Sequence, residues 1–255
     1  MPYRRLPNTD IKRLRALNIA LEKAEEFPVF KLPYSVGTVQ KIKMLFPNFE
    51  KQIILQKEAL KIQVTKQKEY SVLYKKAKTY LSHFIQVMNM AVVRGDLNKD
   101  VYKFYGFNSK SIKIPNFKNE NELIELSKRI ISGEKERINQ GGNPITNPTI
   151  ALVNVYFEKF LASRVFQKQL QENYQRCTNS VSEMRPQVDK LIQLLWNEIE
   201  NHFSYLPDNE KRSMSSEFGV EYVYRKTELI EQDNEEIPNF NVIENNNSQQ
   251  YSLSF

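Results

Sequence analysis

Residues 70–91, YSVLYKKAKTYLSHFIQVMNMA, carry the pattern on which the fold turns. Apolar side chains recur at Tyr70, Tyr74, Ala77, Leu81, Phe84, Met88 and Ala91, in steps of 4 and 3. That rhythm is the seam of a helix packed lengthwise on others. A second series repeats it at Leu170, Tyr174, Cys177, Val181, Met184, Val188, Leu191, Leu195 and Ile199. No strand-like alternation of comparable length accompanies them, so the sequence predicts an all-α protein.

The two series read as copies. Ile85-Gln86 matches Ile192-Gln193, ILQKEAL at 54–60 parallels VFQKQLQ at 165–171, and Phe104-Tyr105-Gly106-Phe107 parallels Glu217-Phe218-Gly219-Val220. Each copy closes on an aromatic, a glycine and an apolar residue, a helix stop. The expectation is two duplicated long helical hairpins in a pseudo-two-fold, four-helix-type bundle, plus an N-terminal helix.

Working outward, residues 1–33 read as a basic arm and a first helix. Thr9 or Asn8 caps it, Asp10 sits in its first turn, and Ile11, Leu14, Leu17 and Leu21 form its apolar face. Residues 34–107 form the first copy and 148–227 the second. The segment 108–147 reads as a partly helical linker, with Leu123, Ile124, Leu126, Ile130 and Ile131 needing burial, then turns at Asn143-Pro144 and Asn147-Pro148. Asn147 is the expected cap of the helix that follows. Pro47 and Pro186 mark where the repeat helices kink or break. Residues 228–255 hold 6 acidic side chains and no basic one, and read as a disordered acidic tail. Tyr251, Leu253 and Phe255 close that tail as a short apolar alternation, the pattern of a docking peptide.

Composition excludes several function classes. Seven glycines in 255 residues is roughly 2.7%, against a usual ~7%, which disfavours Gly-rich phosphate loops. Two histidines and one cysteine exclude most zinc sites, iron–sulfur clusters and disulfide frameworks. MPYRRLPNTD has no apolar core of a secretory leader, and no run of ~18 apolar residues exists, so the expectation is a cytoplasmic protein with no membrane span.

Charge is unevenly placed. Residues 1–110 hold 21 Lys/Arg against 9 Asp/Glu, a net of +12, whereas 111–255 hold 16 against 21, a net of −5. Arg4, Arg5, Lys12, Arg13 and Arg15 cluster beside Tyr3, a pattern suited to contacting phosphates and stacking on an unpaired base. The plainer reading is a solvated helix face. Lys57, Lys61, Lys66, Lys68, Lys75, Lys76 and Lys78 are dispersed around their helix as solubilising charges are.

No constellation for chemistry emerges. His83 and His202 lack the neighbouring ligands of a metal pair, and the loop from Asp96 ends on Phe107 where calcium needs an acid. Cys177 has no histidine beside it to activate it, and reads as a structural thiol. Glu198 and Glu200 flank Ile199 and face different ways, so they form no carboxylate pair; Trp196 reads as core. An enzyme would need polar groups inside the bundle, for which Asn89, Gln193 and Asn197 are the nearest candidates.

Taken together, MPYRRLPNTD, FIQVMNMAVVRGDL with its following FYGF, and GGNPITNPTIAL resemble a family of uncharacterised all-helical proteins from Bacteroidota. In that family a start like this precedes two related helical halves. The resemblance covers nearly all of 1–227 and implies a helical fold without lending any catalytic residue. The sequence thus predicts a non-enzymatic binding or scaffold protein with no cofactor and no metal. Its partner is another protein or a second copy; the alternative is RNA held by the five N-terminal cations.

Overall fold

The computed structural model describes residues 3–107, 117 and 119–223. The first part of the expected linker, the acidic tail and its Tyr251, Leu253 and Phe255 lie outside the described residues. In chain order the helices are α1 (Asp10–Glu26), α2 (Val36–Arg94), α3 (Glu120–Asn139), α4 (Ile150–His202) and α5 (Asp208–Glu217). Short 3-10 helices occupy Val29–Lys31 and Lys99–Tyr105, and two two-residue strands, β1 (Tyr3–Arg4) and β2 (Tyr222–Val223), pair antiparallel. The fold is all-α.

Local chemistry sets the helix ends. Thr9 caps α1 by accepting from the Lys12 amide at 3.3 Å, and Asn119 caps α3 by accepting from the Glu122 amide at 2.9 Å. At α4 the cap differs from expectation. Asn147 sits at φ 56, off the helical path, and Thr149 takes the role, its Oγ1 accepting from the Leu152 amide at 3.4 Å.

The expected hairpins are not formed. Each half is one long helix, of 59 residues in α2 and 53 in α4, followed by a short helical segment. Pro47 and Pro186 lie inside these helices rather than between two arms. Each proline removes one backbone hydrogen bond, a loss that flanking turns tolerate when the helix is otherwise well packed.

The chain divides into two compact units, one of Met1–Pro47 with Arg185–Phe255 and one of Asn48–Met184. In the second, α2 and α4 run antiparallel, since residue numbers rise along one as they fall along the other. Gln56 Nε2 donates to Thr178 Oγ1 at 3.1 Å, Tyr70 and Tyr74 pack on Phe160, and Tyr80 stacks on Tyr156 with centroids 4.2 Å apart. Leu81, Phe84, Ile85 and Met88 of α2 are fully buried with Leu123 and Ile130 of α3 and Phe160 of α4. Burial of each such side chain contributes about 1.5–3 kcal/mol. Gly133 lets α3 lie against the Lys99–Tyr105 segment, where a Cβ would come within 2.2 Å of the Phe104 carbonyl oxygen.

In the first unit the start of α2 meets the end of α4. Thr38 Oγ1 and the Ser35 amide donate to Glu198 at 2.9 and 2.8 Å. Ala16, Leu17 and Ala20 of α1, Ile42 of α2 and Val188, Ile192, Leu195, Trp196 and Ile199 of α4 are buried. Ile11, expected on the inner face of α1, points to solvent instead. The inner stripe runs through Ala16, Leu17 and Ala20, which carries Ile11 to the other side of the helix.

The repeat is visible in these interiors. Leu81 and Val188, Phe84 and Leu191, Ile85 and Ile192, and Met88 and Leu195 are each 107 apart and all buried. The two stops also match. Gly106 and Gly219 have φ 66 and 90, left-handed values that favour glycine. Phe107 and Val220 donate their amides five residues back, to Tyr102 and Ser215, and both glycines donate three back.

Pro47 and Pro186 are both exposed, so replacing either removes little packing while restoring a helical N–H. Pro47→Ala and Pro186→Ala are each expected to stabilise the protein, by up to about 3 kcal/mol. A rise in the urea unfolding midpoint at unchanged slope is the result to look for; a fall contradicts a continuous helix at that point.

Candidate functional site

The N-terminal cations were the residues sequence marked for a site, and the first unit gathers most of them into ion pairs. β1 pairs with β2 through Arg4 and Tyr222, and the Arg5 amide donates to the Glu221 carbonyl at 2.9 Å. The arm is therefore fixed to the body rather than free. Arg4 Nη1 donates to Glu200 Oε2 at 2.9 Å and to Asn197 Oδ1 at 2.8 Å. Lys12 Nζ lies 2.9 Å from Glu221. Arg13 grips Asp189 through two nitrogens at 2.7 and 3.0 Å and also reaches Asp10 at 3.3 Å. Arg5 and Arg15 are exposed, and among the described residues they form no ion pair.

Asp10 is shared. Arg185 donates to both of its oxygens at 2.8 Å, giving the alternation Arg185, Asp10, Arg13, Asp189. Hydrogen bonds from Arg185, reinforced by the charge of Arg13, hold the Asp10 carboxyl below the ordinary carboxylate range against its partial burial. The bond to Asp189 likewise raises Arg13. Among the described residues, the carboxylates that meet the basic segment are Asp10 of α1, Asp189 and Glu200 of α4, and Glu221.

The second unit holds a groove of about 410 Å³ between α2 and α4 at the start of α3, lined by Tyr70, Glu120, Arg164, Gln167, Lys168 and neighbouring residues. Tyr70 donates its hydroxyl to Glu120, and Arg164 Nε donates to the other Glu120 oxygen at 2.9 Å. Burial, and then the bond to Glu120, push the Tyr70 phenol well above its ordinary value, so it acts as a fixed donor and not as a base. Both polar atoms of the Gln167 amide are buried without a hydrogen-bond partner. The groove offers an ion pair and amides, groups that position a polar molecule; it contains no histidine and no thiol.

A third polar cluster is closed. Glu134 is 0% exposed and Arg137 3%. Arg137 donates to both Glu134 oxygens at 2.8 Å, to the Asn143 carbonyl at 2.7 Å and to the Tyr105 hydroxyl at 3.0 Å. Tyr105 and the Ile145 amide also donate to Glu134. Burial alone would raise the Glu134 carboxyl, yet these donors together hold it below its usual value. With its oxygens engaged on all sides, Glu134 is left no free valence for a ligand. The cluster ties the turn before α4 and the Lys99–Tyr105 segment to α3.

Sequence reading missed both clusters, although one was legible. Leu123, Ser127, Ile130, Glu134 and Arg137 continue one stripe in steps of 4, 3, 4 and 3, which places the ion pair on the buried face. The groove depends on residues 50 and 44 positions apart in Tyr70–Glu120 and Glu120–Arg164, for which no local pattern exists.

The remaining candidates are dispersed. Gln193 and Asn197 are exposed, and Asn89 accepts from the Tyr102 hydroxyl at 2.7 Å, so these three make no polar core site. Trp196 is buried, as expected, whereas Cys177 is only half-buried. His83 and His202 are exposed, and His202 lies edge-on to Phe203. Among the described residues no group of three His, Cys, Asp or Glu is placed to hold a metal ion, and no helix is long and apolar enough to cross a membrane. Comparison with protein-family models, curated proteins and solved structures found no match to this chain.

Glu134→Gln leaves a buried guanidinium facing a neutral amide. It is expected to lower unfolding free energy by about 3–5 kcal/mol, while Asp100→Asn at the exposed Lys103 pair changes it by less than about 1 kcal/mol. Equilibrium denaturation of the two variants side by side measures the difference; equal effects contradict a structural role for the buried pair.

Proposed function

We propose a non-enzymatic cytoplasmic protein that binds or scaffolds other protein chains through the outward face of α2. The observation that carries this reading is the row Ile54, Leu55, Ile62 and Val72, respectively 48%, 38%, 49% and 52% exposed. Leu55 and Ile62 lie two turns apart on one side of α2 with Ile54 and Val72 beside them, in a stretch where a solvated helix surface would be polar. Apolar side chains left in water along one helix face gain most by meeting another apolar face.

Two further features favour it. The strongest polar clusters are turned inward on the protein's own carboxylates, so they have little to offer a reactant. Three of the five cations that suit RNA, Arg4, Lys12 and Arg13, are engaged by Glu200, Glu221 and Asp189. RNA contact is the second reading, supported by the exposure of Arg5 and Arg15 and by the net charge of +7.

A tagged chain passed through native lysate with and without nuclease separates the two. The protein reading expects discrete partners that survive nuclease and severalfold higher salt. They should be lost with Ile62→Glu, whose far-ultraviolet circular dichroism stays that of the parent. Recovery of RNA that weakens steeply with salt and with Arg5→Ala plus Arg15→Ala overturns it.

A further inference from the structure

In the second unit the seam between α2 and α4 changes character for about two turns. On α4 it runs through Phe157, Phe160, Arg164, Gln167, Gln171 and Tyr174, in alternating steps of 3 and 4. The α2 seam runs through Gln63, Gln67, Tyr70 and Tyr74 in the same rhythm. Polar side chains thus stand where the heptad asks for apolar ones, and a polar residue at such a position lowers stability. Gln67, Arg164, Gln167 and Gln171 all line the groove of about 410 Å³ at the start of α3.

Gln167 decides what the groove can hold. It is only 5% exposed, yet neither its carbonyl oxygen nor its amide nitrogen has a protein partner. On the α2 seam, Gln63 Oε1 is buried and unpartnered as well. A buried amide in this condition has given up its hydrogen bonds to water without replacing them, which is costly. We propose that the groove binds a small carboxylate that also carries an amide, as N-acyl amino acids and short peptides do. The amide edge of such a molecule offers one acceptor and one donor, which match the donor and acceptor of Gln167. This site is separate from the protein contacts proposed for the outward face of α2 and does not depend on them.

Charge selects the other end of the molecule. Glu120 has both oxygens engaged, one by the Tyr70 hydroxyl and one by Arg164 Nε. Arg164 Nη2 donates to Asn121 Oδ1 at 3.1 Å, which leaves Nη1 without a partner among the described residues. Lys168, one turn further along α4, is exposed and stands 3.9 Å from Glu172, at the limit of an ion pair. Of the residues lining the groove, Arg164 and Lys168 are cationic and Glu120 alone is acidic, a net of +1. One carboxylate balances that charge, whereas a doubly charged phosphate exceeds it. Arginine also meets a carboxylate with directed N–H groups, which fixes the orientation of the molecule.

Gln167→Leu in the full-length chain tests the proposal from two sides. Exchanging an unpaired buried amide for an apolar side chain of similar size is expected to raise the melting temperature while abolishing binding. A fall in melting temperature means that the protein itself holds the amide, and overturns the proposal. Binding is read by titrating the isotope-labelled chain with N-acetylglycylglycine and following the Gln167 side-chain amide resonance, identified as the one missing from Gln167→Leu. The expected result is a saturable displacement of that resonance. It should weaken by roughly tenfold or more in Arg164→Gln, and equally when the peptide is replaced by its C-terminal amide or by acetate. No saturable displacement by the peptide overturns the site and leaves the glutamines as polar marks that set helix register. Acetate binding as tightly as the peptide overturns the amide half of the proposal, and inorganic phosphate binding more tightly than the peptide overturns the carboxylate half.

Discussion

A helix of more than fifty residues cannot bury an apolar stripe against itself. Both α2 and α4 face that constraint, and within each unit a segment of one packs on a segment of the other. In the second unit the tail of α2 lies along the head of α4, sealed by tyrosine and phenylalanine rings. In the first, the head of α2 meets the tail of α4 through Glu198 and a set of aliphatic side chains. The short helices close each interior from the side: α1 and α5 in one, α3 and the Lys99–Tyr105 segment in the other. The parts recur because the sequence recurs, and the matched glycine stops end both copies alike.

Electrostatics then fixes what packing leaves loose. A basic N-terminal segment with a net charge of this size invites a polyanion, yet the acids of α4 and residue 221 reach it first. Arg13 and Arg185 hold Asp10 and Asp189 in a four-charge chain, and Arg4 with Tyr222 holds Glu200. The middle of α2 is different. Its outward side chains include the exposed aliphatic residues Ile54, Leu55, Ile62 and Val72 beside the Lys66–Glu69 pair.

How much of this could be read from residues alone depends on range. The cap at Thr9, the seams through Leu81 and Val188, and the stops at Gly106 and Gly219 are local patterns, and all are found where the sequence placed them. That each copy holds one long helix rather than two arms was not legible, because a seam and a terminal glycine stop are common to both arrangements and Pro47 and Pro186 are compatible with a kink or a break. The pairing of the arm was not legible because its strand partner, Tyr222–Val223, lies more than two hundred residues away and has no strand signature of its own. Ile11 was misplaced because spacing alone does not say which of two faces of α1 turns inward. For the Tyr70–Glu120–Arg164 groove, only tertiary structure brings the three together. The Glu134–Arg137 pair was legible as a continuation of an apolar stripe, but charge on a stripe ordinarily signals its end.

The central claim is that the N-terminal cations belong to the fold. A double-mutant cycle at Arg13 and Asp189, read by equilibrium unfolding of Arg13→Ala, Asp189→Ala and the double variant, tests it most directly. The bidentate, partly buried pair is predicted to show a coupling of about 1 kcal/mol or more, weakening as salt rises. A coupling indistinguishable from zero would mean that the arginine is idle in the folded protein and available to an external anion, and would contradict the account.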